Sequence, residues 1–287
     1  MGFVTARGVR FHVVDLPRRP PVVPVVPVVP VVMVHGLFTG SSAAWYLMAA
    51  RTLAADRPVR LLDWRGHGRS ERTPTGYGAR SLAADLAALT QDLPPFALVS
   101  HSYGGLAALR FLLDRPARVT RAALVEPPLD AAAPGESADE RARATVAAGI
   151  PTSAGETVPG SDPGFRWLTG QLSSKAARRL DDLIDHTTIR ADLDAEPPVT
   201  DADLAGLPPI PLMVVVGADS PFRTAADRLR DARPDLRAHT LPGGHDVHVT
   251  SSAQVGALLS GFLAETGAQI PAQGSEEITI CNGSATR

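Results

Sequence analysis

Two hydrophobic rhythms alternate along most of the chain. Short runs in which nearly every position is apolar are separated by longer stretches whose apolar residues return every three or four positions. "VRFHVVDL" (9–16) reads as an early strand, and "VVMVHG" (31–36) as a buried one. "SSAAWYLMAARTLAAD" (41–56) reads as a helix opened by a serine cap, and "PVRLLDW" (58–64) as the next strand. The pattern repeats with helix 81–93, strand 96–100, helix 104–115 and strand 121–126. It resumes with strand 211–217, helix 221–232, strand 236–242 and helix 249–265. Short Val/Leu-rich runs between amphipathic helices predict an α/β fold, a mostly parallel, doubly wound sheet covered on both faces.

The rhythm fails in three places. Pro21 to Val32 is a period-three Pro-Val repeat; proline there removes ladder donors and fixes φ, which predicts an extended linker over 20–30. Between Pro127 and Pro209 the alternation stops, leaving one clear helical run, "SSKAARRLDDLIDHT" (173–187). This segment, 127–209, reads as a helical cap inserted between core segments 1–126 and 210–265. The last stretch, 266–287, has no periodicity and reads as a flexible tail.

Composition narrows the picture. With 28 Lys+Arg against 30 Asp+Glu in 287 residues, no bulk field favours nucleic acid or an acidic membrane. A single cysteine, Cys281, excludes an intramolecular disulfide and a cysteine-built metal cluster. There is no H-E-x-x-H, C-x-x-C, Walker-type or G-x-G-x-x-G motif, so neither a metal nor a nucleotide cofactor is expected. Neither a signal peptide nor an apolar run of spanning length is recognisable, and a cytoplasmic protein without membrane association is expected. Oligomeric state is not legible.

The chemistry concentrates at "FALVSHSYGGLAAL" (96–109). Ligands in parallel sheets sit beyond the carboxyl ends of the strands. Ser102 lies there, between a buried strand and a helix. The small residues Ser100 and Gly104 let the two elements approach, and the helix N-terminus favours negative charge.

Here the chain resembles the α/β-hydrolase family, over nearly everything from Val9 to Glu265. Ser100-His101-Ser102-Tyr103-Gly104 resembles the family's G-x-S-x-G nucleophile elbow, with serine in place of the first glycine. "VHGLFTG" (34–40) resembles the oxyanion loop, "DWRGHGRS" (63–70) a turn that the family shapes with histidine, and "LPGGHDVH" (241–248) its histidine loop. The resemblance implies Ser102 as nucleophile and His245 as base, with backbone N–H groups of Leu37 and Tyr103 as the oxyanion hole.

Two residues compete for the orienting acid. The family usually carries it three residues beyond the glycine of strand 211–217, where this chain has Ser220, with Asp219 one residue earlier. Ser220-Pro221 also reads as a helix N-cap and first helical residue. Other members place the acid after the strand that follows the nucleophile helix, where this chain has Glu126. A carboxylate closing a buried strand needs a partner, and Glu126 is preferred to Asp219 by a small margin. His248 reads as a surface or capping residue, His101 as a packing one, and His186 as a surface one. Phe38, Trp45 and Trp167, with Tyr46 and Phe165, are the aromatic candidates for an acyl pocket.

The expected function is a cofactor-independent serine hydrolase acting on an ester, thioester or lactone of a small molecule. Two alternatives share the site: a non-hydrolytic enzyme performing elimination, C–C cleavage or cyclisation in small-molecule biosynthesis, and a non-catalytic small-molecule receptor.

Overall fold

The structure is a computed structural model that describes residues 1–18, 28–38, 40–129 and 174–265. Its centre is an eight-stranded sheet in the order β1-β2-β4-β3-β5-β6-β7-β8. The strands are β1 (Gly2–Ala6), β2 (Val9–Leu16), β3 (Val31–Val34), β4 (Val59–Leu62), β5 (Phe96–His101), β6 (Val119–Val125), β7 (Leu212–Gly217) and β8 (Arg237–Leu241). β1–β2 and β2–β4 pair antiparallel; all the other neighbours are parallel. The fold is that of an α/β hydrolase.

The near-continuous apolar runs have a simple cause. Side chains alternate between faces, and in the inner strands both faces are dry. Leu98, Leu124 and Val214 enter one core, while their neighbours Val99, Val125 and Val215 enter the other. Helices Ala79–Leu89, Tyr103–Asp114 and Ala225–Ala232 cover the first face. Helix Ser252–Ala264 and the helix that begins at Ser42 cover the second.

The structure corrects two local expectations. β1 is absent from the sequence reading because it carries no buried stripe. It is an exposed edge strand, joined to β2 by Arg7 and Gly8, both at positive φ as a two-residue hairpin turn requires. The helix expected over 41–56 is composite: α over Ser42–Trp45, a π-turn over Tyr46–Ala50, then α over Arg51–Leu53. Ser41 makes no capping bond through its side chain. Asp63, distant in sequence, supplies the cap instead, its carboxylate accepting the Ser42 N–H at 2.6 Å.

Between β6 and β7 the described chain is helical, at Ser174–Asp185, Ile189–Asp194 and Asp201–Ala205. Several side chains fasten it to the sheet domain. Asp192 accepts the Gly76 and Tyr77 N–H groups at 2.7 and 2.9 Å. Buried Arg110, on the helix after the serine corner, donates to the Pro197 and Pro198 carbonyls at 2.7 and 3.1 Å. Residues 130–173, most of the expected linker and the expected tail lie outside the described residues, and Phe165 and Trp167 with them. Among the described residues no helix is long and apolar enough to cross a membrane.

Candidate active site

The carboxyl ends of β5, β6 and β7 are tied into one row. Ser102 N–H donates to the Val125 carbonyl at 2.9 Å, and Glu126 N–H to the Val215 carbonyl at 2.8 Å. Both residues leave their strands at positive φ, 53° for Ser102 and 56° for Glu126. Such backbone costs about 1–3 kcal/mol per residue and persists where its surroundings enforce it. Here it brings both side chains to His245.

Glycine makes the serine corner possible. A Cβ on Gly104 would lie 2.5 Å from the His35 carbonyl oxygen, so helix Tyr103–Asp114 could not otherwise seat against β3. A Cβ on Gly36 would meet Ser102 Cβ at 2.8 Å and Oγ at 3.2 Å, which puts the 36–38 backbone beside the hydroxyl. Ser100, replacing the first elbow glycine, is fully buried, and its small side chain fits without breaking the turn.

His245 arrives from the loop after β8 and meets both partners. Ser102 Oγ–H donates to its Nε2 at 2.8 Å, and its Nδ1–H donates to Glu126 Oε2 at 3.2 Å. Glu126 is wholly buried. Its Oε1 accepts the Gly217 N–H, and its Oε2 also accepts the Ser220 hydroxyl. Phe222 stands edge-on to the His245 ring, centroids 4.9 Å apart.

Asp219, the other candidate acid, is exposed, and its backbone N–H is engaged by the Gly243 carbonyl at 3.0 Å. Ser220 is no simple helix cap. The following helix begins at Ala225, and the buried hydroxyl accepts the Phe222 N–H at 3.0 Å while donating to Glu126.

Tyr103 follows Ser102 in the chain, and Leu37 follows Gly36, where an added Cβ would lie 3.2 Å from the Ser102 hydroxyl. Phe38, half-buried at φ 66°, gives its own N–H to His67 Nε2 at 2.8 Å. Tyr103 opens its helix, where N–H groups have no intrahelical acceptor. Two neutral histidines shape the loop over residues 36–38. His67 donates through Nδ1 to the Arg65 carbonyl at 2.7 Å, and His35 through Nδ1 to the Gly36 carbonyl at 2.5 Å. Each ring also accepts an N–H at Nε2, from Phe38 and from Trp64 respectively, which leaves no room for a second proton. Burial pushes both below the usual imidazole range, His67 to about 3.

His248 and Trp45 differ from expectation. His248 is buried, its ring 3.7 Å from His101 and 5.4 Å from Trp45. Burial first, and His245 second, push it down to about 3. The short helix Val247–Thr250 folds it inward beneath the histidine loop, so it is no surface residue. Trp45 is 1% exposed, donates its indole N–H to the Val34 carbonyl at 2.8 Å and lies in the core of the second face. It backs the histidines instead of lining a pocket. His101 packs, as expected, and donates from Nε2 to the His245 carbonyl at 3.1 Å. His186 is exposed.

His101, Asp246 and His248 bring potential ligand atoms within 4.8 Å of one another. The two imidazoles are stacked at a 36° tilt, and His101 Nε2 already serves the His245 backbone. This geometry fits a packing stack better than a metal centre.

A model of the alpha/beta hydrolase family matches residues 31–258. A protein of Variovorax paradoxus (strain S110), named as a carbamate hydrolase, RutD, is 29% identical over 243 residues, covering 80% of this chain and 90% of its own. Two solved structures share the fold. The enol-lactonase from Burkholderia xenovorans LB400 superposes with a TM-score of 0.65 at 18% identity, covering 92% of this chain and 100% of its own. Carboxylesterase CesB from Bacillus subtilis gives 0.67 at 18% identity, covering 91% and 90%.

Proposed function

The chain belongs to the alpha/beta hydrolase family, and from that premise we propose that it is a serine hydrolase cleaving an ester, thioester or lactone of a small molecule without a cofactor. The observation that carries this reading is the unbroken hydrogen-bond line from Ser102 Oγ through both nitrogens of His245 to Glu126. A hydroxyl becomes a competent nucleophile only when a base within reach removes its proton, and that base needs an acceptor behind it.

In this reading Ser102 Oγ attacks the substrate carbonyl while its proton passes to His245 Nε2. Glu126 holds the ring in the required tautomer and stabilises the imidazolium. The developing oxyanion sits between the Leu37 and Tyr103 N–H groups, each worth about 2.7–4 kcal/mol in such a role. His245 returns the proton to the leaving oxygen or sulfur. A water, deprotonated by the same ring, then releases the acid from Ser102. The names of the relatives, a carbamate hydrolase, an enol-lactonase and a carboxylesterase, favour small carbonyl substrates. The half-buried Phe38 and the segment between β6 and β7 are assigned the choice of substrate in this reading.

A fluorophosphonate probe tests the reading. Ser102 is expected to be labelled, and Ser102→Ala to lose both labelling and turnover of an acyl-substrate panel. A folded parent protein that resists the probe and turns over no acyl substrate overturns it.

A further inference from the structure

β6 and β7 are parallel neighbours, with Val125 opposite Val215, so the residues that follow them share one corner of the sheet. Glu126 crosses that corner and puts its Oε2 between two donors, the Ser220 hydroxyl and the His245 ring. Ser220 is completely buried, and its oxygen simultaneously accepts the Phe222 N–H at 3.0 Å. Phe222 in turn packs edge-on against His245. One hydroxyl therefore joins the carboxylate to the segment that holds the imidazole. A serine needed only to shape the turn would have to accept the Phe222 N–H and nothing more.

Resting on the catalytic reading above, we infer that Ser220 is a positioning residue: it fixes the Glu126 carboxylate beneath His245 and shares its Oε2. The sharing has a definite sign. A hydroxyl bonded to the carboxylate stabilises its negative charge and weakens its pull on the imidazolium. Removing the hydroxyl strengthens that pull, and His245 then holds its proton to higher pH. The other titratable groups facing His245 are His101 from β5 and His248 and Asp246 from its own loop. Burial drives both histidines below their ordinary range, so neither competes as a cation near neutral pH. Asp219, on the loop after β7, is exposed.

The experiment is the pH profile of kcat/KM for whichever panel ester or lactone the parent cleaves, with Ser220→Ala beside it. The expected result is kcat lowered about 13- to 160-fold, the cost of one hydrogen bond to a charged group, KM within about twofold, and an acid limb displaced to higher pH. An acid limb that stays or moves lower in a folded Ser220→Ala protein overturns the inference. The second variant, Ser220→Thr, keeps the hydroxyl and should return kcat to within about twofold of the parent and the acid limb to the parent's position. A folded Ser220→Thr protein that behaves like Ser220→Ala also overturns the inference. Failure of the catalytic reading itself appears elsewhere, as activity that survives Ser102→Ala.

Discussion

Replacing Glu126 by glutamine preserves shape and removes one acceptor, which makes its cost calculable. Three donors converge on the carboxylate: Gly217 N–H on Oε1, Ser220 O–H and His245 Nδ1–H on Oε2. Glutamine offers a single oxygen. If that oxygen faces Gly217, the amide NH2 meets His245 Nδ1 and forces the other tautomer. Nε2 then carries a hydrogen and cannot accept the Ser102 proton. If the oxygen faces His245, the NH2 confronts the Gly217 N–H, leaving a buried donor unpaired at about 1–3 kcal/mol. That restricts the competent orientation about 5- to 160-fold. In it the imidazolium leans on a neutral acceptor, a further loss of about 1 kcal/mol or roughly fivefold. The product is a fall in kcat/KM of about 25- to 800-fold. Steady-state kinetics on the best panel substrate, with Ser102→Ala as the floor, measures it. Glu126→Gln activity within about threefold of the parent would refute the argument, since the carboxylate would then have no part in orienting His245.

Two further expectations follow from packing and burial. Gly104→Ala places a Cβ 2.5 Å from the His35 carbonyl, so urea unfolding should show a loss of about 1–3 kcal/mol, accompanied by weaker probe labelling of Ser102; an unchanged midpoint would contradict the close approach. His67 and His248 are driven by burial to about 3, against about 6.5 in an unfolded chain, so below 6.5 the unfolded state binds the extra protons. The stability they contribute is therefore complete above pH 6.5 and lost as the pH falls toward 3, by about 1.4 kcal/mol per ring per pH unit. Urea midpoints between pH 7.5 and 5 should fall accordingly, and His248→Leu should flatten the slope; a flat parent profile would show these rings to be solvated.

The sequence by itself determined whatever depends on neighbours along the chain. Alternating apolar runs and amphipathic stretches specify strands and helices because burial on both faces of a parallel sheet leaves β7 wholly apolar and confines polar residues to the ends of β5 and β6. The serine corner is legible for the same reason: a strand end, small residues and a helix start within ten positions leave few other conformations. What joins distant segments was decided by the tertiary structure. A linear reading prefers Glu126 to Asp219 as the strand-end carboxylate only by a small margin. Only the order β5-β6-β7, which sets Ser102 and Glu126 in one row and leaves Asp219 facing solvent, separates them. Trp45 and His248 look like pocket and surface residues until the sheet's second face is folded around them. Ser220 acquires a partner because a carboxylate 94 positions away reaches across one strand spacing. Periodicity records which side of an element is dry; it carries no information about which dry sides meet, and the assembly of this site depends on those meetings.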